Sequence, residues 1–113
     1  MPVKTVNIKA GYPTAEQAMQ RLSQELRIAK ANRLRALKVI HGYGSTGSGG
    51  AIRTAARRLL SERRARGQIR AYIPGEEFNA FSVSARSAVS AAPELKRDID
   101  YGRQNDGITI VLL

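Results

Sequence analysis

The 113-residue chain contains no cysteine, no tryptophan and a single histidine, His41. Without cysteine there is no disulfide framework, no thiolate metal site and no cysteine nucleophile. One histidine leaves a metal site only carboxylates to recruit, so neither a metal nor another cofactor is expected. Aromatic residues are 5% of the chain, too few for a broad base-stacking platform of the RNA-recognition-motif kind. Acidic residues are scarce in one half: residues 1–66 hold 14 Lys and Arg against 3 Asp and Glu, whereas residues 67–113 hold 5 against 6. No apolar run approaches the roughly 20 residues that a bilayer-crossing helix needs. The opening Met1-Pro2-Val3-Lys4 leads into strand-like alternation and not into a signal-peptide core. These features predict a cytoplasmic protein with no membrane partner.

What is present predicts one domain over residues 1–113. The chain is 42% apolar and 25% charged, with ordinary glycine and proline usage, which suits one packed core and not a disordered tail. Its net charge of +10 comes from the first half. The simplest partner for such a surface is a polyanion, because each phosphate neutralised releases condensed counterions. DNA or RNA leads among polyanions, an anionic membrane surface trails, and plain solubility is the bland alternative.

The pattern along the chain places the candidate site. Val3 to Lys9 alternates around Val6 and Ile8 and stops at Ala10-Gly11-Tyr12-Pro13, as a short strand would. Thr14 with Gln17 three residues on forms a capping-box signature. Ala15, Ala18, Met19, Leu22, Leu26 and Ala29 then recur at helical spacing. Ala36 to His41 predicts a second strand, with Leu37 and Val39 on one face and Lys38 and Ile40 on the other. After a glycine-rich stretch, Ile52, Ala55, Ala56, Leu59 and Leu60 stripe a second helix that Gly67 closes. Ile69 to Ile73 and Gly107 to Leu113 predict the third and fourth strands. Between them residues 79–106 read as a long loop with one or two short helices, Pro93 suiting a first helical turn.

Strand-helix-strand order favours parallel pairing with right-handed crossovers. The predicted fold is therefore an α/β two-layer sandwich of order β-α-β-α-β-β. It has a four-stranded mixed sheet, two main helices on one face, and an insert at about 79–106 before the last strand. The carboxyl ends of the parallel strands would gather Lys9, the 41–50 loop and Pro74-Gly75-Glu76 on one rim.

The loop from Gly42 to Gly50 has five glycines in nine residues, which lets main-chain N–H groups turn towards a ligand at the start of a helix. Arg53, Arg57 and Arg64 follow along one flank of that helix, a row suited to successive phosphates. Gly42-x-Gly44-x-x-Gly47 matches the dinucleotide fingerprint, but a strand and helix precede it and no acidic residue follows at the expected place. A Walker A loop would need Gly-Lys-Ser/Thr, and the chain offers Gly47-Ser48 without the lysine.

A third reading rests on resemblance. The succession is a strand, His41-Gly42-Tyr43-Gly44 with further glycines, a helix opening Ile52-Arg53, a strand ending near Pro74-Gly75-Glu76, and Gly-Ile-Thr-Ile-Val-Leu at 107–112. It resembles the Smr (small MutS-related) domain over nearly the whole chain. Thr14-Ala15-Glu16-Gln17-Ala18 is similar to that family's Thr-x-Glu-Glu-Ala run, and HGxG is its most specific motif. The resemblance implies a sandwich akin to the C-terminal domain of bacterial translation initiation factor three. It also implies nucleic-acid binding, with DNA-nicking or RNA-cleaving activity in some members.

The chain departs from the family where Leu-Asp-x-His is expected, having Val6-Asn7-Ile8-Lys9 instead. Asn7 cannot titrate and Lys9 supplies only charge at neutral pH, so binding survives this departure better than phosphodiester cleavage. The binding residues expected are Lys9, His41, Gly42, Tyr43, Gly44, Ser45, Thr46, Gly47, Arg53, Arg57 and Arg64. Tyr43 is the aromatic placed to stack on an unpaired base. Two alternatives accompany this reading: an endonuclease using His41 as acid or base, and an adaptor that docks protein through residues 78–103.

Overall fold

A computed structural model describes residues 3–43 and 49–113. The strands are β1 (Val3–Asn7), β2 (Ala36–Ile40), β3 (Ala71–Pro74) and β4 (Ile108–Leu112), and the helices are α1 (Ala15–Ala31), α2 (Gly49–Ala65) and α3 (Val83–Ala91). The helix termini follow from local chemistry. The Thr14 hydroxyl accepts from the Gln17 amide at 3.1 Å while the Gln17 side chain accepts from the Thr14 amide at 3.0 Å, so two orphan donors of α1 are satisfied reciprocally. At the end of α2, Gly67 takes φ +72°, which lets the Gly67 and Gln68 amides donate back to the Arg64 and Arg63 carbonyls. This is a Schellman stop, and glycine avoids the Cβ penalty of the left-handed conformation.

The sheet order is β1-β2-β4-β3. β1 and β2 pair in parallel, and β4 lies between β2 and β3 antiparallel to both. Three strands therefore share a direction although only one pair is parallel. β4 is buried along its whole length because both faces are covered. On one face Leu37, Val39 and Val111 pack against Leu22 and Leu26 of α1 and against Ile52, Ala56 and Leu60 of α2. On the other, Ile73, Ile108 and Ile110 meet Phe78, Ala85, Ala88, Ala92 and Leu95.

This second cluster gives the 79–106 segment its place. Where the sequence predicts a long loop with short helices, α3 and a 3₁₀ turn at Pro93–Arg97 roof the sheet face that α1 and α2 leave open. Lys38, on that face of β2, is 5% exposed and bridges Asp98 at 2.8 Å and Asp100 at 2.6 Å. Burial alone would lower the Lys38 pKa. The hydrogen bonds to Asp100 and Asp98, with the charges of both, outweigh it and hold the ammonium above its ordinary value. β3 begins two residues later than predicted: Ile69 is buried in the turn out of α2 and precedes the paired residues.

Candidate nucleic-acid interface

The carboxyl ends of β1, β2 and β3 and the approach to β4 converge on one rim. His41 and Gly42 both donate their amides to the Gly107 carbonyl at 3.0 Å, and Ile8 donates to the Ile40 carbonyl at 3.0 Å. Gly42 has φ +74°, and a Cβ there would come within 2.9 Å of Lys9 Cδ, so the Lys9 stem lies over it. The Tyr43 ring rests against Gly107, where a Cβ would meet Tyr43 Cδ1 at 2.7 Å, and leaves 56% of the tyrosine exposed. A Cβ on Gly75 would overlap the Asn105 carbonyl oxygen, so only glycine permits that approach between the ends of β3 and β4. Lys9, His41, Gly42 and Tyr43 are thus brought together as the sequence predicts. Gly44, Ser45, Thr46 and Gly47 lie outside the described residues.

His41 faces inward. It is 0% exposed, with Nδ1 2.7 Å from the Gly42 carbonyl oxygen and Nε2 2.8 Å from Thr109 Oγ1. A carbonyl can only accept, so the neutral ring carries its proton on Nδ1, and Nε2 accepts from the Thr109 hydroxyl. Arg57 Nε donates to the same hydroxyl oxygen at 3.4 Å, a long contact that extends the chain outward. Burial above all, with the charges of Arg57 and Arg53, pushes the His41 pKa below its ordinary value; the Gly42 carbonyl and Glu76 oppose this without reversing it. The ring is therefore neutral at pH 7, with both nitrogens engaged. Its geometry fits a buried brace between β2 and β4.

The arginine row differs from its expected open form. Arg57 grips Glu76 with two hydrogen bonds, of 2.9 and 2.7 Å, and Arg53 meets Asp106 at 3.0 Å. Arg64 lies in the last turn of α2, remote from the rim end of the helix. The physical reason is that two acids of the second half, Glu76 after β3 and Asp106 before β4, reach the start of α2. Burial raises the Glu76 carboxyl, but the Arg57 hydrogen bonds and positive charge carry it below its ordinary range. Sequence reasoning missed Asp106 and Thr109. Asp106-Gly107 is legible as a turn before β4, but nothing local shows that it opposes Arg53. Asn7, at the departure from the family motif, accepts the Lys9 amide on its side-chain oxygen at 3.0 Å and closes a turn. Among the described residues no cluster of three His, Asp or Glu stands where it could hold a metal. No helix there is long and apolar enough to cross a membrane.

The Smr domain family model matches residues 11–78, more than half the chain, from the turn before α1 through β3 to Phe78. The chain belongs to the Smr domain family. That family is generally associated with nucleic acid. The crystal structure of the Smr domain of Thermus thermophilus MutS2 superposes with a TM-score of 0.60 over 97% of this chain and 96% of that one. At 23% identity the likeness shows the Smr fold alone. Among curated proteins none matches significantly in sequence. The Smr family match ends at residue 78, before the segment that roofs the second sheet face.

Proposed function

We propose that this Smr domain binds DNA or RNA by the phosphate backbone at the strand-end rim, without using His41 to cleave it. The observation that carries the reading is that Lys9 lies over Gly42 while Arg53 and Arg57 both reach Asp106, the residue before the Gly107 carbonyl that holds the Gly42 amide, with only partly exposed carboxylates as partners. The Arg53–Asp106 pair leaves 30% and 48% of its side chains exposed, and Arg57–Glu76 leaves 22% and 42%. The single-contact Arg53–Asp106 pair is worth about 0–1 kcal/mol, so an incoming phosphate can take over the Arg53 guanidinium while Asp106 returns to water, whereas at Arg57 it competes with the two-pronged hold on Glu76. Tyr43 supplies the exposed ring for an unpaired base. Cleavage by His41 is disfavoured because a general base needs a free nitrogen within reach of the substrate, and both of its nitrogens are engaged below the surface.

The test combines an NMR titration with a DNA duplex and a plasmid-nicking assay. The expected outcome is amide shifts at Lys9, Gly42, Tyr43 and Arg53 while the plasmid stays intact. Nicking that is present in the wild type and lost in His41→Ala would overturn the non-cleaving reading. Shifts confined to other surfaces would overturn the rim.

Protein docking through residues 78–103 is a second reading with its own support. Phe81, Val83 and Ile99 are 93%, 70% and 75% exposed on the segment that the family match leaves out. It requires an association insensitive to salt.

A further inference from the structure

The ion pairs redistribute the charge that the sequence displays. Four of the six acidic residues after Arg66 are spent on cations of the first half: Asp98 and Asp100 on Lys38, Asp106 on Arg53, and Glu76 on Arg57. Together with the Lys4–Glu25 pair, this leaves ten of the 14 Lys and Arg in residues 1–66 outside any ion pair among the described residues. Four of those ten line one cleft of about 380 Å³ between the C-terminal halves of α1 and α2, at the end of the helices away from the rim. Arg27 and Lys30 come from α1, Arg63 from α2 and Arg66 from the residue that follows it; no carboxylate lines the cleft.

We propose that this cleft is a second seat for the phosphodiester backbone of nucleic acid, separate from the rim and resting on the reading that the domain binds nucleic acid at all. Helix dipoles account for part of the pattern, since Lys30 and Arg63 lie in last turns where a cation is favoured. They do not account for four cations sharing one cleft. Like charges three residues apart repel by a few tenths of a kcal/mol per pair, and Arg27/Lys30 and Arg63/Arg66 are two such pairs facing each other. Two of the four are held in place by neutral acceptors that leave their charge uncompensated. Lys30 donates to the Gln68 carbonyl at 2.8 Å and Arg63 to the Ser23 hydroxyl at 3.1 Å. Arg27 and Arg66, the other two, are exposed to solvent.

The chemistry favours a phosphate backbone over a bilayer or a base. Leu26 and Ile69, the apolar residues of the cleft, are 1% and 5% exposed, so no hydrophobic group is available to enter a membrane. No aromatic residue lines it, so bases have nothing to stack on. The cleft should therefore bind without regard to sequence.

Arg27→Gln/Arg66→Gln is the informative variant, because both side chains are exposed and its unchanged melting temperature would certify the fold. Binding is read by fluorescence anisotropy with a labelled DNA duplex of about 20 base pairs over a range of salt, with Lys9→Gln as the rim control. Loss of two phosphate contacts lowers the log–log salt slope by about 1.8, which is roughly a hundredfold weaker binding at about 50 mM salt and little change near 1 M. A double variant that binds like wild type, while Lys9→Gln weakens binding, overturns the cleft and leaves the rim standing. A wild-type protein that ignores the duplex overturns both, as does one that binds only vesicles containing phosphatidylserine.

Discussion

His41 bears the family's signature, yet its imidazole serves the interior. Held neutral by burial and by the Arg57 and Arg53 charges, it takes a proton less readily in the folded chain than in the unfolded one. The sign follows: above the ordinary histidine pKa of about 6.5 neither state is protonated, and as pH falls below it the unfolded state gains protons first. Stability should therefore decline from about pH 6.5 downwards to the lowered folded pKa, by a component that His41→Gln removes. Urea denaturation between about pH 5 and 8 measures it, and parallel profiles for the two proteins would contradict the account. At this scale the sequence could name His41 but not choose between a free acid-base group and a buried brace. The choice depends on Thr109, 68 positions away, whose hydroxyl occupies Nε2.

At the scale of elements, the Lys38 bridge fastens the 79–106 segment to the sheet. Burial works to raise the Asp100 carboxyl, but hydrogen bonds from Lys38 and Asn105 and the Lys38 charge keep it below its ordinary range. Its contribution is present above the unfolded pKa near 3.8 and is lost as pH falls through the lowered folded value, whereas that of Lys38 is lost as pH rises through its raised one. Lys38→Ala strands two carboxylates beside an apolar layer and should cost about 3 kcal/mol, towards the low end for a broken buried pair because both aspartates keep some water contact. Replacing Lys38 by Met together with Asp98→Asn and Asp100→Asn should restore most of the loss, and urea midpoints distinguish the two variants. The elements on the other face were legible because their apolar residues contrast with polar neighbours: Leu22 and Leu26 in α1, and Ile52, Ala56 and Leu60 in α2. α3 was blurred because its buried residues, Ala85 and Ala88, sit among further alanines and serines that give little contrast. The position of β4 between β2 and β3 was not legible either, since a strand's neighbours are set by long-range pairing that its own sequence does not encode.

For the whole molecule, the charge asymmetry along the sequence turns into partial self-neutralisation in space. The acids of the second half quench the rim arginines and Lys38, and of the ten Lys and Arg of residues 1–66 left outside any ion pair among the described residues, seven lie on α1, on α2 or at Arg66 just after it. The rim itself was legible, because strand order and glycine placement fix where Lys9, His41 and Gly75 converge. Its ion pairs were not, because Glu76 and Asp106 meet Arg57 and Arg53 only after β3 and β4 are laid down. Such a surface should associate with nucleic acid by counterion release and not by reading bases. The most direct measurement is the affinity of the wild-type protein for one DNA duplex, and for a second of scrambled sequence, across a salt series. The two affinities should agree at every salt concentration, with log affinity falling linearly against log salt at a slope of about −0.9 per phosphate contacted. An affinity that stays level as salt rises would contradict it.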